Sequence, residues 1–507
     1  MSDGALSQKL SKALSSRDAR LIRRRLPDPD ASPSSFGSDR EPSKSKSLNS
    51  QCLIDFTSND YLSLTNSPHL RALFLRKLQN APDVLGSGGS RLLVNGRAHA
   101  EFEKRMKAFF CRGSTGKNTE NPARKPAALL FNSGFDANVG FFSCIPQPGD
   151  AIVYDEYIHA SVHDGMRASR VESQLRLGFQ HNSAPDLRRV LQSLRVSFTG
   201  ESSKESQDNA SAFAMGSRSV FVSVESLYSM DGTLSPLREF IDVMDEVFPL
   251  GNAYLIVDEA HSTGIYGPKG RGRVAQLGLE GRVLAKLHTF GKALGASGAV
   301  IVTTELIRDY LLNYARPLIY TTSQSYANVI AADASFDLLE DGTAERLTEH
   351  LFSLSAQLVS TLQPRLRSSK VPTSLLSLPS HLTASTPPST PSSLSTLSPI
   401  IPLLTSHPRP LSAHLLSLGM NARPITWPTV PKGKGRVRVC LHAGNTSEEV
   451  ERLVKGCVEW AEAVLRESGS SERQTEKAKP SMAIQPPPMS TQETIRAKEA
   501  DMRLAKL

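Results

Sequence analysis

The chain is poor in several features that would mark a specialised class of protein. Its 507 residues include only five cysteines, with no Cys-x-x-Cys pair, which favours neither a zinc site nor a disulfide scaffold and is typical of a reducing compartment. Aromatic residues make up only 6%. No apolar run approaches the roughly 20 residues that a membrane-spanning helix needs, so we expect no membrane partner. With 39% hydrophobic residues, the composition predicts a core large enough for more than one domain.

The basic charge of the chain does not by itself indicate nucleic-acid binding. The formal net charge is +9, but much of the excess lies near the ends, at Arg23-Arg24-Arg25 and around Lys477 and Lys498. No nucleic-acid-binding motif accompanies these residues, so we expect no nucleic-acid partner. A basic surface that attracts anionic substrates explains the same charge.

The pattern along the chain predicts an α/β fold in two folded parts. Residues 1–54 indicate a basic N-terminal helix, over 6–26, and a flexible Ser/Pro-rich linker. Residues 55–325 alternate apolar strands with helical patterns, which predicts a large α/β domain around a mainly parallel sheet. Residues 326–467 indicate a smaller α+β domain with a disordered insertion near 374–398, and residues 468–507 a disordered tail. The basic helix also fits a mitochondrial presequence, although its acidic residues weaken that interpretation.

The strongest chemical signal is the motif Asp258-Glu259-Ala260-His261, directly after the apolar run 254–257. In parallel α/β sheets, ligands bind beyond the carboxyl ends of the strands. We therefore expect Asp258 at such an end and His261 in the following loop. On its own the motif is explained as well by an Asp that caps the next helix.

Three further motifs follow strands in the same way. Lys292 lies in the glycine-flanked run 289–298, and a lysine so placed can form a Schiff base with a carbonyl compound. The turn 131–138 joins a strand to a predicted helix, whose first N–H groups, at Gly134 and Phe135, can hold phosphate. His159 follows the strand 151–154, where an imidazole can stack on a flat ring. Taken singly, these motifs have ordinary structural explanations: Lys292 as a loop lysine, 131–138 as a simple βα turn, and His159 as a histidine without a special role.

The order and spacing of these motifs resemble the α-oxoamine synthases, a family of pyridoxal-phosphate enzymes of fold type I. Further matching runs are Thr57-Ser58-Asn59-Asp60-Tyr61-Leu62, Tyr320-Thr321-Thr322-Ser323, Pro428-Thr429-Val430-Pro431 and Arg436-Val437-Arg438. The resemblance covers about residues 6–467, apart from the insertions. It implies a large mixed or parallel seven-stranded sheet that binds pyridoxal 5'-phosphate, a smaller C-terminal α+β domain, no metal, and a homodimer with shared active sites.

The resemblance also implies roles for single residues. Lys292 would hold the cofactor and then move the Cα proton, Asp258 would pair with the ring nitrogen, His261 would bind the phenolic oxygen, and His159 would stack on the ring. The other residues matched to cofactor contacts are Gly134, Phe135, Glu225, Ser229, Thr289 and Thr322, the last of these reaching the neighbouring subunit's phosphate. Those matched to the substrate are Arg23, Asn59 and Arg436. Arg438 competes with Arg436, because in a strand both point to the same face.

The family joins an amino acid to an acyl-CoA with loss of carbon dioxide. The opening 58–62 and the turn Ser229-Met230-Asp231-Gly232 are most similar to the branch that condenses L-alanine with pimeloyl-CoA, or a related thioester, to 8-amino-7-oxononanoate in biotin biosynthesis. The alternatives are 5-aminolevulinate synthase, 2-amino-3-ketobutyrate CoA ligase, a sphingoid-base or polyketide-releasing member, and a non-catalytic scaffold subunit. The final Ala505-Lys506-Leu507 resembles the peroxisomal Ser-Lys-Leu signal and predicts a peroxisome, with cytoplasm or mitochondrion as alternatives.

Overall fold

The computed structural model describes residues 4–20, 22–24, 26, 53–111, 121, 125–195, 211–383 and 397–476. The predicted linker, most of the predicted insertion near 374–398 and the C-terminal tripeptide lie outside these residues. The peroxisomal location therefore stays a prediction.

The strands and helices are numbered here in chain order. The strands are β1 (Ile54–Asp55), β2 (Pro126–Phe131), β3 (Ala151–Asp155), β4 (Arg176–Phe179), β5 (Val220–Glu225), β6 (Ala253–Asp258), β7 (Val283–Thr289), β8 (Ala299–Thr304), β9 (Ile400–Leu404), β10 (Met420–Asn421), β11 (Arg423–Ile425) and β12 (Arg436–Cys440). The helices are α1 (Ala5–Ala19), α2 (Pro68–Asn80), α3 (Arg97–Phe110), α4 (Gly134–Cys144), α5 (Ala160–Ala168), α6 (Ala184–Ser193), α7 (Leu237–Val247), α8 (Arg273–Gln276), α9 (Glu305–Tyr314), α10 (Arg316–Ile319), α11 (Tyr326–Glu340), α12 (Thr343–Ser368), α13 (Ser380–Thr383), α14 (Pro408–Ser417) and α15 (Ser447–Glu476).

A seven-stranded mixed sheet, in the order β2-β8-β7-β6-β5-β3-β4, forms the centre of the large α/β part. Strands β4, β3, β5, β6 and β7 are mutually parallel, while β8 runs antiparallel to both of its neighbours. The central strands are buried on both faces, which explains their nearly continuous apolar sequences. The predicted α/β fold with a seven-stranded sheet is confirmed.

The parallel strands bring four polar residues to one edge of this sheet. Asp155, Glu225, Asp258 and Thr289 are the last residues of β3, β5, β6 and β7. Glu225 and Asp258 lie directly opposite each other in the β5–β6 register. The carboxyl edge of the sheet is thus lined with polar side chains, as the strand-end argument predicts.

The C-terminal part contains a three-stranded antiparallel sheet, in the order β11-β12-β9. Arg436 and Arg438 occupy alternate positions of its central strand, β12. Strand β1, which precedes the large α/β part in the chain, pairs in parallel with β10 of the C-terminal part. The division of the chain into domains stays a prediction.

Two segments are more ordered than the sequence predicts. The insertion near 374–398 is partly built into the fold: Leu376 is 1% exposed, and Ser377 exchanges backbone hydrogen bonds with Leu404. Burial of leucines among the Ser/Thr/Pro residues explains this order. Helix α15 also extends to Glu476, past the predicted start of the disordered tail at 468. The structure further shows β4 and β7, which the sequence analysis did not predict.

We looked for a membrane-spanning helix in the described ranges and found none. None of their helices combines the length and the apolar character that a membrane span requires.

Candidate active site

Asp258 is held rigidly at the carboxyl edge of the sheet. Its Oδ2 accepts a hydrogen bond of 2.8 Å from the Asn138 amide on α4, and its Oδ1 accepts one of 2.9 Å from the backbone N–H of Ala260. Asn138 in turn donates to the hydroxyl of Ser161, which is fully buried. With Asp258 only 7% exposed, this network fixes a buried carboxyl group that faces the cleft.

Lys292 lies in the loop between β7 and β8, half-buried beside two acidic side chains. Burial lowers the pKa of its amine, while the nearby carboxyl groups of Asp258 and Glu225 oppose that shift. Within the part of the chain that the structure describes, Nζ has no hydrogen-bond partner. The lysine is therefore an amine with a lowered pKa in a partly desolvated cleft, which favours its reaction with a carbonyl group.

Glu225 is the second buried acid of the cleft. Its side chain is 3% exposed, and burial raises its pKa well above the ordinary value, with Asp258 and Asp155 adding repulsion. Asp258 and Glu225 are two carboxyl groups in one site with different environments, and Asn138 holds only the first.

His261 and Arg438 both lie at the pair formed by Tyr61 and Asn59. The Tyr61 hydroxyl lies 2.7 Å from His261 Nδ1 and donates to Asn59 Oδ1 at 3.2 Å. Arg438 also donates to Asn59 Oδ1 at 2.9 Å and to the Ser229 carbonyl at 2.6 Å. Burial, followed by the positive charges of Lys292 and Arg438, lowers the pKa of His261 well below its usual range, so the imidazole is neutral.

Arg436 and Arg438, the two candidates for carboxylate binding, differ in their contacts within the fold. The Arg436 guanidinium is paired with the carboxylate of Asp231 and donates to the carbonyls of Met230, at 3.1 Å, and Lys434, at 3.2 Å. It is 3% exposed and its hydrogen-bonding capacity is used within the fold. Arg438, without a carboxylate partner among the described residues, lies beside Tyr61 and contributes to the field at Lys292. Strand alternation could not separate the two, because both point to the same side of β12.

The remaining predicted cofactor residues border the same cleft or its rim. Helix α4 begins at Gly134, with Ser133 as its N-cap, and the N–H groups of Gly134 and Phe135 have no acceptor within the described ranges. The Thr289 hydroxyl donates to the Gly298 carbonyl at 3.1 Å, at the end of β7. His159 caps α5 through Nδ1, which accepts from the Ser161 N–H at 3.2 Å, and its side chain is exposed.

Two predicted residues stand apart from this cluster. Thr322 is exposed, and its carbonyl accepts a 2.7 Å hydrogen bond from the Asn132 amide. Arg23 is exposed beyond the end of α1 and pairs with Asp18 at 2.6 Å, so the described contacts do not bring it to the cleft. The described ranges also contain no group of three or more His, Cys, Asp and Glu side chains arranged to hold a metal.

Comparison with known proteins places this arrangement among enzymes of one family. The model of the aminotransferase class I and II family matches residues 52–456. The chain is 43% identical over 416 residues to an 8-amino-7-oxononanoate synthase of Emericella nidulans, a match that covers 82% of this chain and 90% of that protein. It is 37% identical over 416 residues to the aminoacyl transferase sphA of Aspergillus fumigatus, covering 81% and 82%. Among solved structures, a Sphingomonas wittichii serine palmitoyltransferase superposes with a TM-score of 0.66 at 25% identity, covering 91% of this chain and 99% of that one.

Proposed function

The chain belongs to the aminotransferase class I and II family, within its α-oxoamine synthases, and on this premise we propose that it condenses L-alanine with a pimeloyl thioester. The products are 8-amino-7-oxononanoate, the free thiol and carbon dioxide. The family assignment makes the protein a pyridoxal-phosphate-dependent, acyl-transferring enzyme. The convergence of Lys292, Asp258 and Arg438 on one cleft carries the proposal, and the similarity to the Emericella nidulans protein supports the choice of substrates.

The residues of the cleft fit pyridoxal phosphate. The free N–H groups at the start of α4 could donate hydrogen bonds to the cofactor's phosphate, and the buried Asp258 carboxyl could pair with its ring nitrogen. The exposed His159 ring could stack on the face of the cofactor ring. Lys292 Nζ, which has no hydrogen-bond partner in the described part of the chain, could react with the cofactor's carbonyl carbon. When bound, the cofactor withdraws electrons from the amino acid's Cα and so makes the Cα proton acidic.

The proposed roles of the protein groups follow from their environments. Asp258, fixed by Asn138, supplies the negative charge that stabilises a protonated pyridine nitrogen. The contact between Tyr61 and His261 Nδ1 orients the neutral imidazole, so that its Nε2 can meet an oxygen in the cleft. The lowered pKa of the Lys292 amine suits it to accept the Cα proton and return it later.

The carboxylate of the amino acid is assigned to Arg438. Its guanidinium is held on one side by the Ser229 carbonyl and by Asn59, so that it is oriented before substrate arrives. A planar guanidinium matches a carboxylate bidentately, which a lysine cannot do. Arg438→Lys should therefore raise KM for the amino acid at least tenfold. Arg436→Lys is the matched control on the same strand, and its larger effect should be on stability.

We also propose a homodimer in which Thr322 serves the partner's site. The exposed position of Thr322 and the exposed apolar side chains of the nearby loop, Leu85 (77%) and Leu93 (81%), support a surface that another chain covers. Mixing inactive Lys292→Ala with inactive Thr322→Asp chains would then restore about a quarter of the wild-type activity, because half of randomly paired dimers carry one intact site. Absence of any recovery from mixed dimers would contradict a shared site.

A substrate panel tests the choice of reaction. Thiol and carbon dioxide release are measured with L-alanine, glycine or L-serine against pimeloyl-CoA or palmitoyl-CoA. Release with alanine and pimeloyl-CoA alone is the expected result. The similarity to sphA and to a serine palmitoyltransferase supports a second candidate, a condensation with a long-chain thioester, and preference for palmitoyl-CoA would favour it.

A further inference from the structure

His181 lies beside the cleft in the loop between β4 and α6, and both of its ring nitrogens are engaged. Nδ1 lies 2.9 Å and 3.2 Å from the two carboxylate oxygens of Asp155. Nε2 lies 2.8 Å from the hydroxyl of Thr233. Because a carboxylate only accepts, Nδ1 carries a proton, and Nε2 shares the second hydrogen bond with the Thr233 hydroxyl.

Two tyrosine rings fix the plane of this imidazole. Tyr157 stacks on it with ring centroids 4.4 Å apart and an angle of 21° between the planes. Tyr228 meets it edge-on, also at 4.4 Å, at 87°. With its side chain 15% exposed, His181 has little freedom to turn away from either hydrogen bond.

The first hydrogen-bond partner anchors His181 to the segment that carries His159. Asp155 is the last residue of β3 and is fully buried, and its carboxylate also accepts from the backbone N–H groups of Tyr157, at 2.9 Å, and Asn182, at 2.8 Å. The loop of His181 is thereby tied to the segment 155–159. This end of the link is stationary, because it is part of the central sheet.

The second partner belongs to the turn 226–235, which reaches the arginines of β12. Within it, the N–H of Tyr228 donates to the Thr233 carbonyl at 3.0 Å, so the turn closes on itself. The Ser229 carbonyl then accepts from Arg438, and the Asp231 carboxylate pairs with Arg436. Outside the turn, Asn182 holds the Leu234 carbonyl at 3.1 Å, beside the His181 contact.

We propose that His181 is a positioning residue for amino-acid binding, acting through Thr233 and the turn 226–235 on the guanidinium of Arg438. The inference rests on the proposed role of Arg438 as the carboxylate anchor. Among the described contacts, His181 has no hydrogen bond to Lys292, Asp258 or Arg438. It holds the turn against Asp155 at the end of β3, and the turn offers Arg438 the acceptor that orients it. Loss of the link should weaken amino-acid binding more than it weakens cofactor binding or folding.

Each end of the link can be removed separately in the holoenzyme. Thr233→Val removes the hydroxyl while keeping the side-chain shape, and Thr233→Ser keeps the hydroxyl as the conservative variant. His181→Asn keeps a donor near the position of Nδ1 but cannot reach Thr233. His350→Asn, at an exposed histidine of α12 whose Nε2 lies 3.1 Å from the Asn445 carbonyl, is the control for the loss of one histidine hydrogen bond.

The measurements are KM for the amino acid, kcat, the dissociation constant of pyridoxal phosphate and the unfolding temperature. We expect Thr233→Val and His181→Asn each to raise KM for the amino acid about fivefold to tenfold, which is the usual effect of leaving one buried hydrogen-bonding group unpaired. Thr233→Ser should restore the wild-type KM, and the cofactor's dissociation constant should stay within about twofold of wild type. The double variant should be no worse than the poorer single variant, because both substitutions break the same bond.

Several results would overturn the proposal. An unchanged KM in Thr233→Val, or additive effects in the double variant, would show that the His181–Thr233 bond does not position the turn. A parallel loss of cofactor affinity and unfolding temperature, with no change in KM, would assign His181 a purely structural role. Arg438→Lys separates this inference from its premise. If Arg438→Lys keeps the wild-type KM for the amino acid, the carboxylate assignment itself fails. If Arg438→Lys raises that KM but Thr233→Val leaves it unchanged, only the inference about His181 fails.

Discussion

Replacing Glu259 by glutamine should change how the stability of the protein depends on pH. Glu259 follows Asp258 and is fully buried, and burial raises the pKa of its carboxyl group to about 7. Its Oε1 accepts from the Val274 N–H at 2.9 Å. Among the described residues, Oε2 has no hydrogen-bond partner and lies 4.0 Å from His288 Nε2, which likewise has none. Glutamine keeps the shape and an acceptor oxygen but cannot ionise.

The size and sign of the effect follow from the two pKa values. A folded-state pKa of about 7, against 4.5 for the ordinary group, means that the folded protein retains a proton which the unfolded chain loses between these pH values. The stability of the wild type therefore falls as the pH rises from 4.5 through 7, and the part due to Glu259 amounts to about 3 kcal/mol. Because this contribution is absent from Glu259→Gln, the variant gains stability relative to wild type as the pH rises.

Urea unfolding of both proteins at pH 5, 6, 7 and 8 measures this difference. The difference in unfolding free energy should move in favour of Glu259→Gln across the series and level off above pH 7. Glu246→Gln, at an exposed position, controls for the loss of one carboxyl group. A difference that stays constant over the whole range, or that moves in favour of wild type, would refute the reasoning that Glu259 is buried in its neutral form.

Three further predictions concern the cleft and its walls. Asn138→Ala removes one hydrogen bond from the Asp258 carboxyl and should reduce kcat about tenfold with little change in KM. Steady-state kinetics measures both constants, and an unchanged kcat would mean that the amide does not hold Asp258. Tyr61→Phe should lower kcat about fivefold by removing the hydroxyl beside His261 Nδ1, with the imidazole's NMR shifts reporting the lost bond. Gly298→Ala should lower the unfolding free energy by more than about 2 kcal/mol, as thermal unfolding would show. The reason is that Gly298 has a φ of 104° and that an added Cβ would overlap the side chain of Gln324. A variant as stable as wild type would contradict that geometry.

The sequence predicts the sheet well where its strands are purely apolar, and poorly elsewhere. Strands β3 and β6 are short apolar runs, and the predicted runs 151–154 and 254–257 lie within the observed strands. Strand β7 carries Lys286 and His288, both buried, and these charged residue types interrupt the apolar pattern. Lys286 is accommodated because Nζ donates to the Phe110 carbonyl, and His288 because it stacks on the Phe110 ring. Such tertiary partners are not visible in the sequence.

The candidate site shows the same division. Motif order leads to Lys292, Asp258, His159 and His261, because each follows a strand whose end is fixed by topology. The residues that orient them, Asn138 and Tyr61, were not singled out, although both fall in matched motifs: Asn138 lies one helical turn after the start of α4, on the side that faces β6. The sequence leaves the choice between Arg436 and Arg438 open, because the two lie on one face of a strand and differ only in tertiary contacts, such as that of Arg436 with Asp231.

The most direct test of the account is exchange of the Cα proton of L-alanine in D2O, followed by NMR with pyridoxal phosphate present and no acyl donor. The account predicts exchange by the wild type and none by Lys292→Ala, with Arg438→Lys exchanging only at much higher alanine concentrations. Exchange by Lys292→Ala at the wild-type rate would contradict the assignment of the proton transfer to this lysine, and with it the proposed chemistry of the cleft.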